Sequence, residues 1–176
     1  MTTADRLGSL LAAGLDGDEI AMFELVRCTQ PMVWRFCLNM GSPGEVDDLV
    51  QETYLRALRS AGSFRGEARV SSWLLSIARN VCADHVRRRT RQARLMARVL
   101  PARSDAVLPQ SDGAVVDDLV RRLDRDRREA FVLTQLSGLS YADAAEVLGC
   151  PIGTIRSRVA RARADLLTAV RQAEAL

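Results

Sequence analysis

Residues 140–164, SYADAAEVLGCPIGTIRSRVARARA, decide the fold of this chain. Ser140 and Asp143 have the spacing of a capping box, which predicts that a helix begins there. Gly149 can adopt the left-handed backbone of a helix end, and Pro151 cannot continue a helix. A second helix is predicted after this turn. Its apolar stripe consists of Ile155, Val159, Ala162 and Leu166.

The second helix carries arginine on the sides that its apolar stripe leaves free. No acidic residue lies between positions 150 and 164. A helix that packs on one side and offers guanidinium groups on the other suits the DNA major groove. A basic amphipathic helix alone is often only a solvated face. Joined to a capped helix through a glycine-containing turn, it indicates a helix-turn-helix motif.

Length and composition predict an all-α fold. The 176 residues suffice for one large domain or two small ones, and only 5% of them are aromatic. Ala, Leu, Val and Arg dominate, which favours helices over strands. We predict two small helical domains joined by a flexible linker. The first domain is expected at residues 18–96 and the second at 115–172, with the linker at 97–114. Residues 1–17 are expected to form an N-terminal tail.

Charge alternates along the chain. Residues 1–62 contain 5 Arg and 9 acidic residues, and residues 63–103 contain 10 Arg and 2 acidic residues. Residues 104–150 then contain 5 Arg and 9 acidic residues, and residues 151–176 contain 5 and 2. Two separate basic segments suggest one polyanion bound at two places.

The cysteines and the single histidine do not form a metal-binding pattern. Cys28, Cys37, Cys82 and Cys150 include no C-x-x-C pair, so we expect no zinc site and no cofactor. Reduced cysteines in the core are the simpler interpretation. His85 is expected at the edge of the core with a satisfied ring. The sequence shows no signal peptide and no apolar run of about 20 residues, so we expect a cytoplasmic protein.

A compact acidic ridge is predicted on the helix at 45–60, EVDDLVQETYLRALRS. Its members lie off the apolar stripe and are Asp47, Asp48, Gln51 and Glu52. A solvated face near a helix N-terminus is one interpretation, and a docking surface for a basic partner is another. A catalytic carboxylate pair has less support, because no nucleophile, phosphate loop or metal-binding histidine lies nearby.

A loop rich in Gly and Ser, residues 61–72, leads into a long helix, WLLSIARNVCADHVRRRTRQAR. Trp73 and Asn80 fall outside its buried stripe, where they could stack on unpaired bases and hydrogen-bond with them. Trp73 could equally pack in the core. Earlier in the chain, we expect Pro31 to interrupt a helix that begins near Asp18.

Two blocks of this sequence resemble the extracytoplasmic-function (ECF) sigma factors of the sigma-70 family. DDLVQETYLRAL with SFRGEARVSSWLLSIARNVCADHVRRR resembles their second conserved region. LDRDRREAFVLTQLSGLSYADAAEVLGCPIGTIRSRVARARADLL resembles their fourth region. The resemblance covers about residues 18–172, and the segments VWRF and LTQL-GLSYADAA are similar to the actinobacterial sigma C type.

The resemblance implies a sigma-2-like domain, a sigma-4-like domain and a role for each surface. The partners would be promoter DNA and core RNA polymerase, bound through its β′ clamp helices and β flap, with an anti-sigma factor as a further possible partner. The acidic ridge would bind the clamp helices. The −10 element would be bound by Ser63, Phe64, Arg65, Trp73, Asn80, Arg87 and Arg88. The −35 element would be bound by Thr154, Arg156, Ser157, Arg158 and Arg161.

Two other functions remain as alternatives. A stand-alone helix-turn-helix regulator, binding an operator as a dimer, would explain residues 116–172 but not residues 45–89. A metal-dependent nuclease would use Asp47, Asp48 and Glu52, although these residues lie on one short helix without a second group of ligands. The resemblance implies instead a protein that is not an enzyme.

Overall fold

The computed structural model describes residues 3–42, 44–66, 68–96 and 112–174, and these ranges contain helices and no strand. The all-α prediction with two helical domains is confirmed. The expected linker falls largely outside the described residues, and its last three residues belong to a helix. The helices are α1 (Thr3–Leu15), α2 (Glu19–Met40), α3 (Val46–Ser60), α4 (Val70–Met96), α5 (Asp112–Arg122), α6 (Arg125–Phe131), α7 (Tyr141–Leu148) and α8 (Ile152–Glu174).

The first domain consists of α1 to α4, which pack around one apolar core. Each helix contributes residues at helical spacing, as the amphipathic pattern requires. Val33 and Phe36 of α2 belong to this core together with Leu74 and Leu75 of α4, and all four side chains are inaccessible or nearly so. Val46, Leu49 and Val50 close the core from α3.

Two features of this domain differ from the sequence prediction. The expected N-terminal tail contains α1, whose Leu7 and Leu11 are buried in the core. The helix α2 also continues through Pro31. Pro31 has no backbone N–H to donate to the Arg27 carbonyl, and both residues lie on the exposed side of α2. Water can therefore solvate this carbonyl in place of the missing hydrogen bond.

The second domain consists of α5 to α8, and its local signals act as predicted. Ser140 Oγ accepts a hydrogen bond from the Asp143 backbone N–H (3.1 Å) and starts α7. Gly149 ends α7 with a positive φ of 61°. Three residues of the predicted stripe of α8 are buried, namely Ile155, Val159 and Ala162, and the fourth, Leu166, is half-buried. The segment Val132–Leu136 extends α6 as a wider, π-helical turn.

The two domains contact each other. Helix α2 packs against α5 and the π-helical turn, and α4 packs against α7. These contacts bring the predicted −10 segment close to the helix-turn-helix. Within the ranges given above, no helix is long and apolar enough to cross a membrane.

Candidate nucleic-acid and protein-docking surfaces

The acidic ridge lies on the open side of α3. Asp47, Asp48 and Gln51 are exposed, while Val46, Leu49 and Val50 turn inward. Two carboxylates near the N-terminus of a helix are favoured by its dipole. Leu55, which is 41% exposed, continues the same surface one turn later and was not singled out by the sequence.

Glu52 differs from the other ridge residues because it takes part in an ion-pair chain. Its Oε1 accepts from Arg56 Nε at 2.7 Å, and Arg56 Nη1 donates to Asp84 Oδ2 at 2.9 Å. Asp84 also accepts from Arg87 at 2.7 Å. The hydrogen bonds from Arg56 and Arg87 lower the pKa of Asp84. The chain of charges ties α3 to α4, whereas the other two carboxylates of the ridge, Asp47 and Asp48, form no ion pair with the described residues.

A groove of about 290 Å³ separates the acidic ridge from α4. Asp48 and Glu52 line one side, and His85 and Arg88 line the other. His85 Nε2 lies 2.7 Å from Glu45 Oε2, so the ring is satisfied at the core edge as predicted. Arg87, also predicted to bind DNA, is paired with Asp84, while its side chain remains 70% exposed.

The loop before α4 and the start of α4 form the predicted −10 surface. Phe64 and Trp73 pack together with ring centroids 5.0 Å apart and planes tilted by 44°. Trp73 is half-buried and also lines a small apolar cavity with Leu11 and Tyr54, so it packs in the core rather than standing free. Asn80 lies two helical turns later and is exposed.

The polar groups around this loop complete the surface. Arg65 is exposed, and Ser63 Oγ donates to the Ser60 carbonyl at 2.7 Å, which stabilises the turn. Arg79, next to Asn80, was not predicted as a site residue. Its Nε donates to Glu129 Oε2 of α6 at 2.9 Å, across the contact between the domains. Glu129 is nearly buried and lies within the arginine-rich segment RDRREAF, where no local pattern identifies Arg79 as its partner.

The exposed face of α8 contains Arg156, Ser157 and Arg161. Ser157 Oγ donates to the Thr154 carbonyl at 2.9 Å, so its hydroxyl proton is engaged by the helix itself. Ala160, small and exposed, lies between the two arginines. Arginine side chains on such a face can reach guanine edges or phosphates.

Arg158 is placed differently from its neighbours on α8. Its guanidinium pairs with the Asp126 carboxylate and donates to Cys150 Sγ at 3.8 Å, and its side chain is only 26% exposed. These contacts join α8 to α6 and to the turn of the motif. The structure therefore separates Arg158 from the predicted −35 set, which it otherwise brings together.

The cysteines are free thiols, and their positions differ from one another. Cys37 and Cys82 are buried as predicted, whereas Cys28 is exposed, contrary to the core position expected for it. A hydrogen bond with the Cys37 thiol and burial raise the pKa of Cys82. Among the described residues, no group of His, Cys, Asp and Glu could hold a metal ion.

Comparisons with known proteins match both domains. The family model for sigma-70 region 2 matches residues 25–92, and the model for sigma-70 region 4 matches residues 114–166. The ECF RNA polymerase sigma factor SigC of Mycobacterium tuberculosis is 44% identical over 169 residues, which cover 93% of this chain and 90% of that protein. SigM of the same species is 38% identical, over 89% of this chain and 81% of that protein.

Solved structures resemble the chain over most of its length. CnrH, solved in complex with the cytosolic domain of CnrY, is 30% identical with a TM-score of 0.74, over 96% of this chain and 98% of that one. The sigma factor RpoE of Bartonella quintana, solved with the anti-sigma factor NepR, is 32% identical. Its TM-score is also 0.74, over 85% of this chain and 96% of that one.

Proposed function

The chain belongs to the extracytoplasmic-function sigma factors of the sigma-70 family, and we propose that three of its surfaces have separate roles in transcription initiation. As a member of this family it binds core RNA polymerase, recognises promoter DNA and directs initiation. One observation carries the proposal: regions 2 and 4 follow each other on one chain, and each presents an exposed face suited to its ligand.

The acidic ridge is the surface proposed for core polymerase. Asp47, Asp48 and Gln51 are exposed together, and a basic partner such as the β′ clamp helices would complement them. Leu55 adds apolar area to the same face. The sigma-4-like domain is proposed to bind the β flap, which would place α8 over the −35 element.

The −10 element is proposed to bind along the loop before α4 and the first turns of that helix. The paired rings of Phe64 and Trp73 form a rigid wall, and exposed Asn80 can donate and accept hydrogen bonds at a base edge. Arg65 beside the loop, and Arg88 further along α4 next to the acidic ridge, would hold the backbone, because phosphate contacts position a protein without reading sequence.

Promoter opening then follows without covalent chemistry by this chain. Separating base pairs costs unstacking energy of a few kcal/mol per step. Holding extruded bases on the sigma-2-like domain offsets that cost. Two domains bound to two elements benefit from the high effective concentration that a shared polymerase provides. Sigma factors are initiation factors rather than enzymes, and we propose that the chain acts in the cytoplasm with the polymerase.

The structural relatives suggest a regulator as well. RpoE of Bartonella quintana was solved with an anti-sigma factor. We propose that a protein of that kind can bind this chain, without assigning its identity.

Run-off transcription with core polymerase and a promoter library tests the proposed function. We expect transcripts only when the chain and core are both present, and a shared −10 and −35 pattern among the productive templates. The chain alone serves as the control. Tight duplex binding by the chain alone, with no stimulation of core, would favour a stand-alone regulator. Metal-dependent cleavage of the template would favour a nuclease.

A further inference from the structure

The C-terminal end of α4 is a helical segment exposed to solvent along its whole length. Every residue from Val86 to Met96 is exposed, whereas Val81 and Cys82, about one turn earlier, are buried in the core. We call Val86–Met96 the basic extension, because it contains five arginines and no acidic residue. The core of the first domain therefore ends before this segment begins.

The basic extension can unwind without exposing the core. Arg91 lies four positions from Arg87 and three from Arg94, and like charges at these spacings on a helix repel each other. A short helix without packing partners is marginal in water, and helix ends open more readily than packed helices. The extension is therefore the part of α4 that can present its side chains in an extended conformation.

Thr90 lies in the middle of the basic extension and is exposed. The three residues before it are Arg87, Arg88 and Arg89. Arginine-directed protein kinases use carboxylates to bind a guanidinium at the third position before the acceptor, and they bind the surrounding residues in an extended conformation. The Thr90 hydroxyl donates to the Val86 carbonyl at 2.9 Å, and unwinding of the extension releases it from this bond.

Two other hydroxyl residues, Ser9 and Ser72, also have arginine three positions before them. Ser72 is only 3% exposed, so its hydroxyl is not accessible. Ser9 lies on α1 between Leu7 and Leu11, and unwinding α1 would take both leucines out of the core. Thr90 therefore combines the arginine signal with an exposed hydroxyl and a segment that can unwind.

We propose that Thr90 is a phosphorylation site for an arginine-directed protein kinase, and that phosphate at this position weakens DNA binding by the −10 surface. The Thr90 hydroxyl oxygen forms a bond with the γ-phosphorus of ATP, the bond from that phosphorus to the β,γ-bridging oxygen breaks, and ADP leaves. The hydroxyl proton passes to the general base of the kinase. This inference rests on the proposed function, since the −10 element is the ligand whose binding the phosphate weakens.

A phosphate on Thr90 would lie beside two arginines of the basic extension. Arg87 and Arg94 are three and four positions away, on the same side of the helix. The phosphate carries a charge of about −1.5 to −2 at pH 7 and binds guanidinium groups strongly. It would therefore neutralise Arg87, a predicted −10 residue, and repel nearby DNA phosphates.

Mass spectrometry of the full-length chain tests the modification site after treatment with ATP, Mg²⁺ and the catalytic subunit of cAMP-dependent protein kinase, which is arginine-directed. We expect one phosphate per chain, at Thr90. Thr168 is the internal control, because its exposed hydroxyl bonds the carbonyl four residues earlier, as that of Thr90 does. Asp165 occupies the third position before Thr168, so this threonine lacks the arginine signal. Thr90→Val keeps the shape of the side chain and should take up no phosphate.

Promoter binding by holoenzyme reconstituted from the phosphorylated chain tests the effect on DNA. Promoter affinity should fall at least about fivefold at physiological salt, and the salt slope should fall by about 1, because a phosphate contact is lost. Base preference within the −10 element should stay the same, since phosphate contacts carry no sequence information. Phosphatase treatment should restore binding, and kinase-treated Thr90→Val should bind like the untreated wild-type chain.

Two outcomes would overturn the proposal. One is that Thr90 takes up no more phosphate than Thr168. The other is that the phosphorylated holoenzyme binds the promoter with unchanged affinity. If Thr90 is phosphorylated selectively but no chain, untreated wild type included, supports transcription with core polymerase, the proposed function fails while the modification site stands.

Discussion

The hydroxyl of half-buried Tyr54 joins two helices of the first domain. Its oxygen lies 2.8 Å from Thr29 Oγ1, and Thr29 is 1% exposed. Thr29 Oγ1 also lies 2.8 Å from the Leu25 carbonyl, to which it can only donate. Tyr54 is therefore the donor to Thr29 and must be protonated to fill that role. Burial raises the pKa of Tyr54 to about 12.

Alkaline pH should therefore destabilise the first domain through Tyr54. The folded pKa lies above the ordinary value near 10, so the stabilisation is complete below about pH 10 and is lost as pH rises through 12. We expect a loss of about 2 kcal/mol by pH 11.5 from this group. The chain contains no lysine, so no ammonium group titrates in the same window.

Tyr54→Phe provides the comparison in urea unfolding at pH 9 and pH 11.5. The variant should be less stable by about 1 kcal/mol at pH 9, because it lacks the hydrogen bond to Thr29. By pH 11.5 the difference in unfolding free energy between the two proteins should disappear or change sign. Parallel loss of stability in the two proteins would show that other groups, such as the buried thiols, cause the alkaline transition.

At the scale of the helix, local chemistry made most boundaries predictable. Ser140 and Gly149 act within one or two turns of their own position, so their effect does not depend on the rest of the fold. The same reasoning failed at Pro31, because the cost of its missing N–H depends on whether that side of α2 is buried. It also failed for α1, where Leu7 and Leu11 have helical spacing but their partners lie in α2 and α4.

Exposed apolar residues on α2 show a further limit of pattern reasoning. Ile20 is 78% exposed and Phe23 is 67% exposed. Each lies within the hydrophobic sequence that supplies Leu25 and Val33 to the core. Composition alone could not determine which side of this helix faces inward, because both sides carry apolar residues.

We expect the arginines of α8 to have two different roles, base recognition for some and a structural role for another. Arg156→Ala and Arg161→Ala remove exposed side chains, so unfolding free energies should change by less than about 0.5 kcal/mol. At least one should flatten preference at a single −35 position, with about 1–3 kcal/mol of discrimination lost. Arg158→Ala should instead destabilise the second domain by about 1 kcal/mol through loss of the Asp126 pair, with base preference retained.

The test measures binding of each variant, together with core polymerase, to templates with matched and scrambled −35 elements. It is repeated at several salt concentrations. The Arg158 variant is the matched control, since it removes the same side chain from the same helix. If Arg156→Ala and Arg161→Ala weaken binding equally on both templates, these two arginines are phosphate contacts. Sequence reading would then come from Ser157 or from the shape of the duplex.

At the scale of the whole molecule, the alternation of charge along the sequence becomes a separation of surfaces. The acidic ridge of α3 and the arginine-rich face of α8 belong to different domains and suit different partners. Motifs in the sequence predicted both faces. The Arg79–Glu129 pair could not be predicted, because its members are 50 positions apart and meet only when the domains dock. Neither residue carries a local signal of that partner.

The acidic ridge gives the sharpest test of how the whole molecule binds the polymerase. Asp48→Arg changes an exposed carboxylate that has no ion pair in the described ranges, so circular dichroism and thermal unfolding should stay close to wild type. Reversal of a charge that is desolvated at the interface should cost about 2 kcal/mol or more, which is about a 30-fold loss in affinity for core polymerase. Glu52 is a poorer choice, because its replacement would also disturb Arg56 and Asp84.

Asp16→Arg supplies the matched control, since Asp16 is an exposed acid of the same domain outside the ridge. It makes the same change in net charge, so an effect of overall charge on association would appear equally in both variants. A specific interface predicts loss of core binding for Asp48→Arg alone. Retention of core by Asp48→Arg would exclude the ridge as the main anchor and leave a solvated helix face. If both variants weaken core binding equally, the attraction comes from the overall charge of the domain rather than from a specific interface.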